Sequence, residues 1–123
     1  MAEGKLSDKT VIVTGGGRGL GRSITFGLAR DGANVCVAAH IEDDIVSVKK
    51  EAKNITGGGQ IIAILADLRS PEACRQVLDK TMSTFSSIFG LVNSAGLTFT
   101  YIAPHRYRRG YSEKFFELSD DVV

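Results

Sequence analysis

The sequence predicts an α/β fold built on a doubly wound parallel sheet. Four short apolar runs of strand length alternate with three longer segments whose apolar residues recur at helical spacing, in the order βαβαβαβ. A strand that is followed by a helix and then another strand in this way lies parallel to its successor, with a right-handed crossover. We therefore expect one parallel sheet with helices packed against it.

The first predicted strand and helix flank a cluster of glycines. Residues 10–14 (Thr-Val-Ile-Val-Thr) form a β-branched run that is typical of a buried parallel strand, and the glycines follow it directly. A helix is predicted from Gly19, and Gly32, just past Arg30 and Asp31, lies where that helix should end. Its apolar positions are Leu20, Ile24, Gly27 and Leu28.

Three more strands and two more helices follow. The second strand is predicted at residues 34–39, the third at 60–66 and the fourth at 88–93. The second helix is predicted to begin with the acidic residues Glu42, Asp43 and Asp44, which favour a first helical turn. Ser70 and Pro71 are typical of an N-cap and a first helical position. The predicted apolar faces are Ile45, Val48, Ala52 and Ile55 in the second helix, and Cys74, Val77, Leu78, Thr81 and Phe85 in the third.

Composition and charge indicate a single globular domain. The 123 residues are 43% hydrophobic and 24% charged, which is typical of a soluble domain. The formal net charge is +1, so charge gives no reason to expect a nucleic-acid partner. No apolar run reaches the roughly 20 residues that cross a membrane. The first nine residues are mostly polar and unlike a secretory signal. We therefore expect a cytoplasmic protein without a membrane partner.

The cysteines and histidines do not predict a metal site. The sequence has no Cys-x-x-Cys pair and no clustered histidines. Cys36 lies in a predicted strand and Cys74 in a predicted helix, so both are expected to be small buried hydrophobic residues. A reactive or paired thiol is the alternative.

The glycine cluster predicts a phosphate-binding turn. The N-terminus of a helix presents unpaired N–H groups that favour an anion, and glycine lets the backbone turn tightly and approach a diphosphate. The spacing is Gly15-x-x-x-Gly19-x-Gly21, which does not match G-x-G-x-x-G in any register. A nucleotide-binding P-loop is disfavoured, because Arg22 and Ser23 follow Gly21 where that motif requires lysine and then serine or threonine.

Three motifs together resemble the short-chain dehydrogenase/reductase family. They are Thr14-Gly15-x-x-x-Gly19-x-Gly21, then Asp67-Leu68, then Leu91-Val92-Asn93-Ser94-Ala95-Gly96. The resemblance covers residues 6–96, and residues 115–121 again look family-like. It implies a Rossmann-type sheet of strand order 3-2-1-4, with a nicotinamide dinucleotide lying over the carboxyl ends of the strands. Ser94 departs from the asparagine that the family usually has.

The resemblance also implies roles for individual residues. Asp67 would hold the adenine amino group, and Asn93, Ala95 and Gly96 would line the adenosine and ribose side. A plain carboxylate at the end of a strand is the alternative for Asp67. The expected cofactor-binding residues are Gly15, Arg18, Gly19, Leu20, Gly21, His40, Asp67, Leu68, Asn93, Ala95 and Gly96.

The residues after the second strand favour NADP over NAD. An NAD site places a carboxylate there to hold the ribose 2′-hydroxyl, and that carboxylate would repel a 2′-phosphate. Here Ala39 is neutral, Arg18 is basic where NADP-preferring members of the family often carry a basic residue, and His40 could add positive charge near pH 6.5. NAD is the alternative, because an acidic residue at 42–44 could still reach the ribose.

No catalytic residue can be named from the sequence. The resemblance implies a Tyr-x-x-x-Lys pair, in which lysine lowers the pKa of tyrosine so that tyrosine can pass a proton. Tyr111 and Lys114 are one position too close, and neither Tyr101 nor Tyr107 has a lysine four residues on. The 123 residues are therefore interpreted as one incomplete dinucleotide-binding domain that is inactive alone.

The region after Gly96 lacks a clear period. Residues 97–114 are interpreted as an irregular loop insertion, and residues 119–121 as the start of a helix. A further strand would normally cover the fourth one, so an uncovered sheet edge could lead to self-association. The alternative function is a stand-alone module that binds nucleotide or pairs with another protein, without catalysis.

Overall fold

A computed structural model of the chain describes residues 4–96. Strands and helices alternate in the order β1 (Thr10–Thr14), α1 (Gly19–Arg30), β2 (Asn34–Ala39), α2 (Glu42–Ala52), β3 (Ile61–Leu65), α3 (Pro71–Phe85) and β4 (Gly90–Asn93). The four strands form one sheet in the order β3-β2-β1-β4, and every strand pair is parallel. The predicted α/β, Rossmann-type architecture and its 3-2-1-4 order are confirmed. The expectations for residues 97–123 lie outside the described residues.

The register of the sheet aligns the carboxyl ends of the central strands. Thr14, the last residue of β1, is opposite Ala38 of β2 and Asn93 of β4. Residues paired in a parallel register point to the same face, and successive residues alternate between faces. The glycine cluster after β1 therefore lies between the ends of β2 and β4.

One face of the sheet packs against α1 and α2, and we call it the α1/α2 face. Its buried residues form a single apolar cluster: Val11, Val13, Phe26, Ala29, Ala33, Val35, Val37, Ala39, Ile45, Val48 and Ala63. The prediction for α2 is confirmed for its acidic first turn and for Ile45 and Val48, which are buried. It is wrong for Ile55, which packs against the same cluster but follows the end of the helix.

The opposite face packs against α3, and we call it the α3 face. A smaller cluster of buried residues lies there: Ile12, Cys36, Ala38, Ala66 and Val77. The Ser70 hydroxyl accepts a hydrogen bond from the Ala73 N–H at 3.2 Å, and Pro71 follows it. The predicted N-terminus of this helix is therefore confirmed.

The predicted apolar faces of α1 and α3 are partly wrong. Leu20 is 74% exposed and Leu78 is 49% exposed. The buried residues of α1 are instead Gly21, Thr25, Phe26 and Ala29. A Cβ on Gly21 would collide with the carbonyl oxygen of Gly15. Gly21 therefore lies on the side of α1 that packs closely against the turn, and Leu20 lies on the exposed side.

The two cysteines occupy different environments. Both are free thiols; Cys36 is buried and Cys74 is half-buried. Burial raises the pKa of the Cys36 thiol, because a low-dielectric surrounding disfavours the thiolate. The expectation of a small buried hydrophobic residue is confirmed for Cys36, whereas Cys74 is only partly covered. Within residues 4–96, no helix has the length and apolar character that crossing a membrane requires.

Candidate cofactor-binding site

Two glycines bring the end of β1, the start of α1 and the end of β4 together. Gly15 has φ +64°, and its N–H donates to the Ala38 carbonyl at 2.8 Å. A Cβ on Gly15 would lie 2.7 Å from the Cα of Ala95, and a Cβ on Gly21 would strike the Gly15 carbonyl. These two positions therefore need glycine for packing within the protein.

Gly19 differs from them, because it faces open space. It has φ +58°, and a Cβ built on it would have no atom of residues 4–96 within 4 Å apart from its chain neighbours and the backbone of α1. Gly19 is also the first residue of α1, whose N-cap residue, Arg18, makes no side-chain capping bond within the described part of the chain. The first turn contains no acidic residue. An anion approaching Gly19 would thus meet N–H groups of the helix terminus with no side chain in front of them.

Thr14 fixes the geometry between the turn and β4. Its hydroxyl oxygen accepts hydrogen bonds from the Ser94 and Ala95 N–H groups, both at 3.1 Å. The same hydroxyl donates to the Val92 carbonyl at 3.4 Å. The expected site residues Asn93, Ala95 and Gly96 are exposed next to it. Thr14 was not among the residues expected from the sequence to form the site, although a hydroxyl residue at the end of β1 was the available signal.

Asp67 lies just past the end of β3 and is already engaged by Arg69. Both of its carboxylate oxygens accept hydrogen bonds from the Arg69 side chain, the shortest at 2.7 Å from Nη2. The Arg69 backbone N–H also donates to Oδ1 at 3.1 Å. These bonds, with the charge of Arg69 and a smaller contribution from His40, lower the pKa of Asp67 to about 2. The neighbouring Leu68 packs against the core of the α3 face.

The end of β2 carries the residues that bear on cofactor choice. Ala39 is buried and His40 is exposed. Arg18, just before α1, forms an ion pair with Asp44. Its Nε donates to Asp44 Oδ2 at 2.7 Å and its Nη2 to Oδ1 at 3.0 Å. The hydrogen bond and charge of Asp44 raise the pKa of Arg18. Arg18, which favours NADP, is therefore paired with Asp44, one of the acidic residues that could instead favour NAD.

A second arginine, Arg22, connects the glycine turn to α2. Arg22 donates to the Gly17 carbonyl at 3.2 Å and to the Glu51 carboxylate near the end of α2. Its guanidinium also lies 5.3 Å from the centre of the Phe26 ring. Residues 4–96 contain no cluster of histidine, cysteine or carboxylate side chains that could hold a metal ion.

The comparisons with known proteins agree with this geometry. The family model described as short chain dehydrogenase matches residues 9–117. The chain belongs to the short chain dehydrogenase family. It is 34% identical over 92 residues to 11-beta-hydroxysteroid dehydrogenase A of Sesamum indicum, and the matched segment covers 75% of this chain but only 26% of that relative.

Two solved structures show the same relationship. A hydroxysteroid dehydrogenase from Escherichia coli is 32% identical, with a TM-score of 0.67 over 72% of this chain and 35% of that one. A 7 alpha-hydroxysteroid dehydrogenase complexed with NADH and 7-oxo glycochenodeoxycholic acid is 33% identical, with a TM-score of 0.69 over 75% of this chain and 35% of that one. The chain therefore spans about a third of the length of these structures.

Proposed function

We propose that this site binds a nicotinamide dinucleotide, with the diphosphate at the N-terminus of α1. The observation that carries the proposal is the open side of Gly19: among residues 4–96, a Cβ there would contact only the adjacent backbone, and α1 begins without a side-chain cap. An anion there is stabilised by the N–H groups and by the helix dipole. The NADH complex of the related 7 alpha-hydroxysteroid dehydrogenase supports the same class of ligand.

The remaining site residues would hold the adenosine half. Asn93, Ala95 and Gly96 lie at the end of β4, beside the turn, and would line the adenosine and ribose. Asp67 would accept a hydrogen bond from the adenine amino group, and Arg69 would keep the Asp67 carboxylate ionised. A bound nicotinamide would supply the hydride for an oxidoreductase reaction. This assignment makes the described residues the binding half of an oxidoreductase.

We propose NADP(H) as the preferred cofactor, with NAD(H) as the alternative. Arg18 is 67% exposed at its side chain, so its guanidinium is accessible to a 2′-phosphate. Ala39 is uncharged, so the end of β2 carries no carboxylate that would repel the 2′-phosphate.

The test is a titration of the purified chain with NADPH and NADH, followed by nucleotide fluorescence. We expect saturable binding of both, with the tighter dissociation constant for NADPH. Absence of saturable binding of either nucleotide would overturn the proposed function. Tighter binding of NADH would contradict only the choice of cofactor.

The position of the diphosphate is tested by Gly19→Val. A branched side chain would occupy the space proposed for the diphosphate, so we expect saturable binding to be lost. Gly57→Val is the matched control, because Gly57 also has a positive φ of +68° and open space around its Cβ position, but follows α2. It carries the same backbone strain and should bind as the original chain does. Wild-type affinity in Gly19→Val would refute the placement.

We further propose that these 123 residues bind the cofactor without reducing a carbonyl. The sequence contains no Tyr-x-x-x-Lys pair, so no tyrosine has the lysine that would lower its pKa. We expect no ketone-dependent oxidation of NADPH by the chain. Turnover above the rate without protein would refute this proposal and leave the binding proposal intact.

We also propose that β4 mediates contact with a second copy of the chain. Within residues 4–96 β4 pairs with β1 alone, and Leu91 in it is 58% exposed. A charge at an edge strand opposes pairing with another chain. Leu91→Lys should therefore lower the mass measured by sedimentation, whereas Val46→Lys, at a 60% exposed residue of α2, should not. A monomeric wild-type chain at all concentrations would overturn the proposal.

A further inference from the structure

The cluster of glycines contains two buried members, Gly16 and Gly17, that the Gly15, Gly19 and Gly21 spacing leaves unexplained. Gly17 is buried, and a Cβ on it would lie 2.7 Å from the Cβ of Asp44 and 3.2 Å from the Cβ of Ala39. Glycine at this position therefore allows the first turn of α2 to approach the phosphate-binding turn. The residue brought in by that approach is Asp44.

Asp44 is fixed more firmly than the arginine that it binds. Its side chain is 15% exposed, against 67% for Arg18. The two form a bidentate pair, from Nε to Oδ2 at 2.7 Å and from Nη2 to Oδ1 at 3.0 Å. A guanidinium has five N–H groups, so this pair leaves others on Arg18 for a further anion. The carboxylate thus orients Arg18 and at the same time neutralises its charge.

We propose that Asp44 is a specificity-determining residue that reduces the preference of the site for a 2′-phosphorylated cofactor. The inference depends on the proposed function, because it concerns which dinucleotide the same site prefers. A 2′-phosphate bound to Arg18 lies within a few ångströms of the Asp44 carboxylate and is repelled by it. A ribose 2′-hydroxyl instead can donate a hydrogen bond to that carboxylate. The ion pair therefore accepts both cofactors, and Arg18 alone would favour NADP(H) more strongly.

The test compares dissociation constants for NADPH and NADH in Asp44→Asn and Asp43→Asn. Asparagine keeps an oxygen for Arg18 but removes the charge, so we expect NADPH to bind about three- to tenfold more tightly and NADH to bind no more tightly. Asp43→Asn is the matched control: it removes the same charge from the same helical turn, and Asp43 is exposed and forms no ion pair within the described residues. Its ratio of dissociation constants should change less than about twofold.

A second variant keeps the inference testable if Asp44→Asn fails to fold. Arg18→Gln removes the guanidinium and leaves Asp44 unpaired, so the preference should shift toward NADH. The shift in Asp44→Asn should shrink at 1 M salt, where the Debye length is about 3 Å. The inference is overturned if Asp44→Asn changes the ratio no more than Asp43→Asn does, or if NADPH binds less tightly. Absence of binding of either nucleotide by the unmodified chain is a different result, because it removes the proposed function itself.

Discussion

The two faces of the sheet differ in how completely the described residues cover them. The α1/α2 face has eleven buried residues in its apolar cluster and the α3 face has five. The difference is visible within β4, where Val92 packs against the α1/α2 cluster and the adjacent Leu91 is 58% exposed. Two adjacent apolar residues thus contribute differently, because alternate side chains of one strand point to opposite faces.

The difference follows from the path of the chain. The helices α1 and α2 both pack on one face, whereas α3 alone packs on the other face among residues 4–96. The glycine turn at residues 15–21 borders on the better covered face, since Gly21, Thr25 and Phe26 are buried in α1. Rigidity of the candidate site is therefore expected to depend on the α1/α2 face more than on the α3 face.

The largest expected effect distinguishes two phenylalanines. Phe26 is 3% exposed within the α1/α2 cluster, and Phe89 is 64% exposed just before β4. Phe26→Ala should cost about 3–5 kcal/mol of unfolding free energy. Phe89→Ala removes the same atoms and should cost less than about 1 kcal/mol, although Lys9 Nζ lies 5.0 Å from the centre of its ring. Urea unfolding followed by circular dichroism measures both values.

Phe26→Leu provides an intermediate step if Phe26→Ala does not fold. It should lie between wild type and Phe26→Ala, because less apolar volume is lost. Equal costs for Phe26→Ala and Phe89→Ala would contradict the comparison and would mean that the β4 side is covered as well as the α1/α2 face.

The fold was predictable from two features of the sequence: residues that end helices and strands, and the order in which these elements follow one another. Glycine clusters and proline separate the elements, and the βαβ order leaves a parallel sheet as the solution. The side of α1 that packs was predictable only in part. Ile24 and Leu28 pack against the α1/α2 cluster, but Leu20, at the same helical spacing, is exposed, because Gly21 decides how closely the helix approaches the turn. Periodicity of large side chains does not report where a small one is required.

The candidate site shows the same division. Gly15, Gly19 and Gly21 lie where the backbone has a positive φ or packs too closely for a Cβ. Their spacing could therefore locate the turn from the sequence. The pair of Arg18 and Asp44 joins residues 26 positions apart, and it depends on how α2 docks against the turn. The pair of Asp67 and Arg69 is only two positions apart and could have been anticipated from that proximity.

A smaller effect is expected from one threonine on the α3 face. Thr10 is 1% exposed, and its hydroxyl is buried without a hydrogen-bond partner in the described part of the chain. Replacing a buried unpaired polar group with an apolar group of the same shape removes its desolvation cost. Thr10→Val should therefore stabilise the chain by about 1 kcal/mol, which thermal unfolding would measure as a higher Tm.

Thr81→Val is the control for this substitution. Thr81 is also fully buried, in α3, but its hydroxyl donates to the Val77 carbonyl at 2.7 Å. The same change there removes a hydrogen bond and should destabilise the chain by about 1 kcal/mol. If Thr10→Val lowers the Tm as Thr81→Val does, the hydroxyl of Thr10 has a hydrogen-bond partner, and the explanation given for this residue is wrong.

The smallest effect is expected at Asp67, which is exposed and lies outside both apolar clusters, so it provides a baseline for charge effects at the carboxyl edge. Arg69 lowers the pKa of Asp67 from the ordinary 3.8 to about 2 in the folded chain. A depressed folded pKa contributes stability above the unfolded pKa, and that contribution is lost as the pH falls toward the folded value. The stability difference between wild type and Asp67→Asn should thus be constant from about pH 5 to 7 and disappear between about pH 4 and 2.

The carboxyl carbon of Asp67 in an NMR titration measures the same pair directly. Its midpoint should lie near 2 and should move upward in Arg69→Gln, because this variant removes the guanidinium but keeps the backbone N–H of residue 69 that donates to Oδ1. A midpoint near the ordinary aspartate value of about 3.9 in the original chain would mean that the ion pair is not formed in solution. Asp67 would then present both oxygens to a ligand, and a nucleotide would not have to compete with Arg69 for the carboxylate.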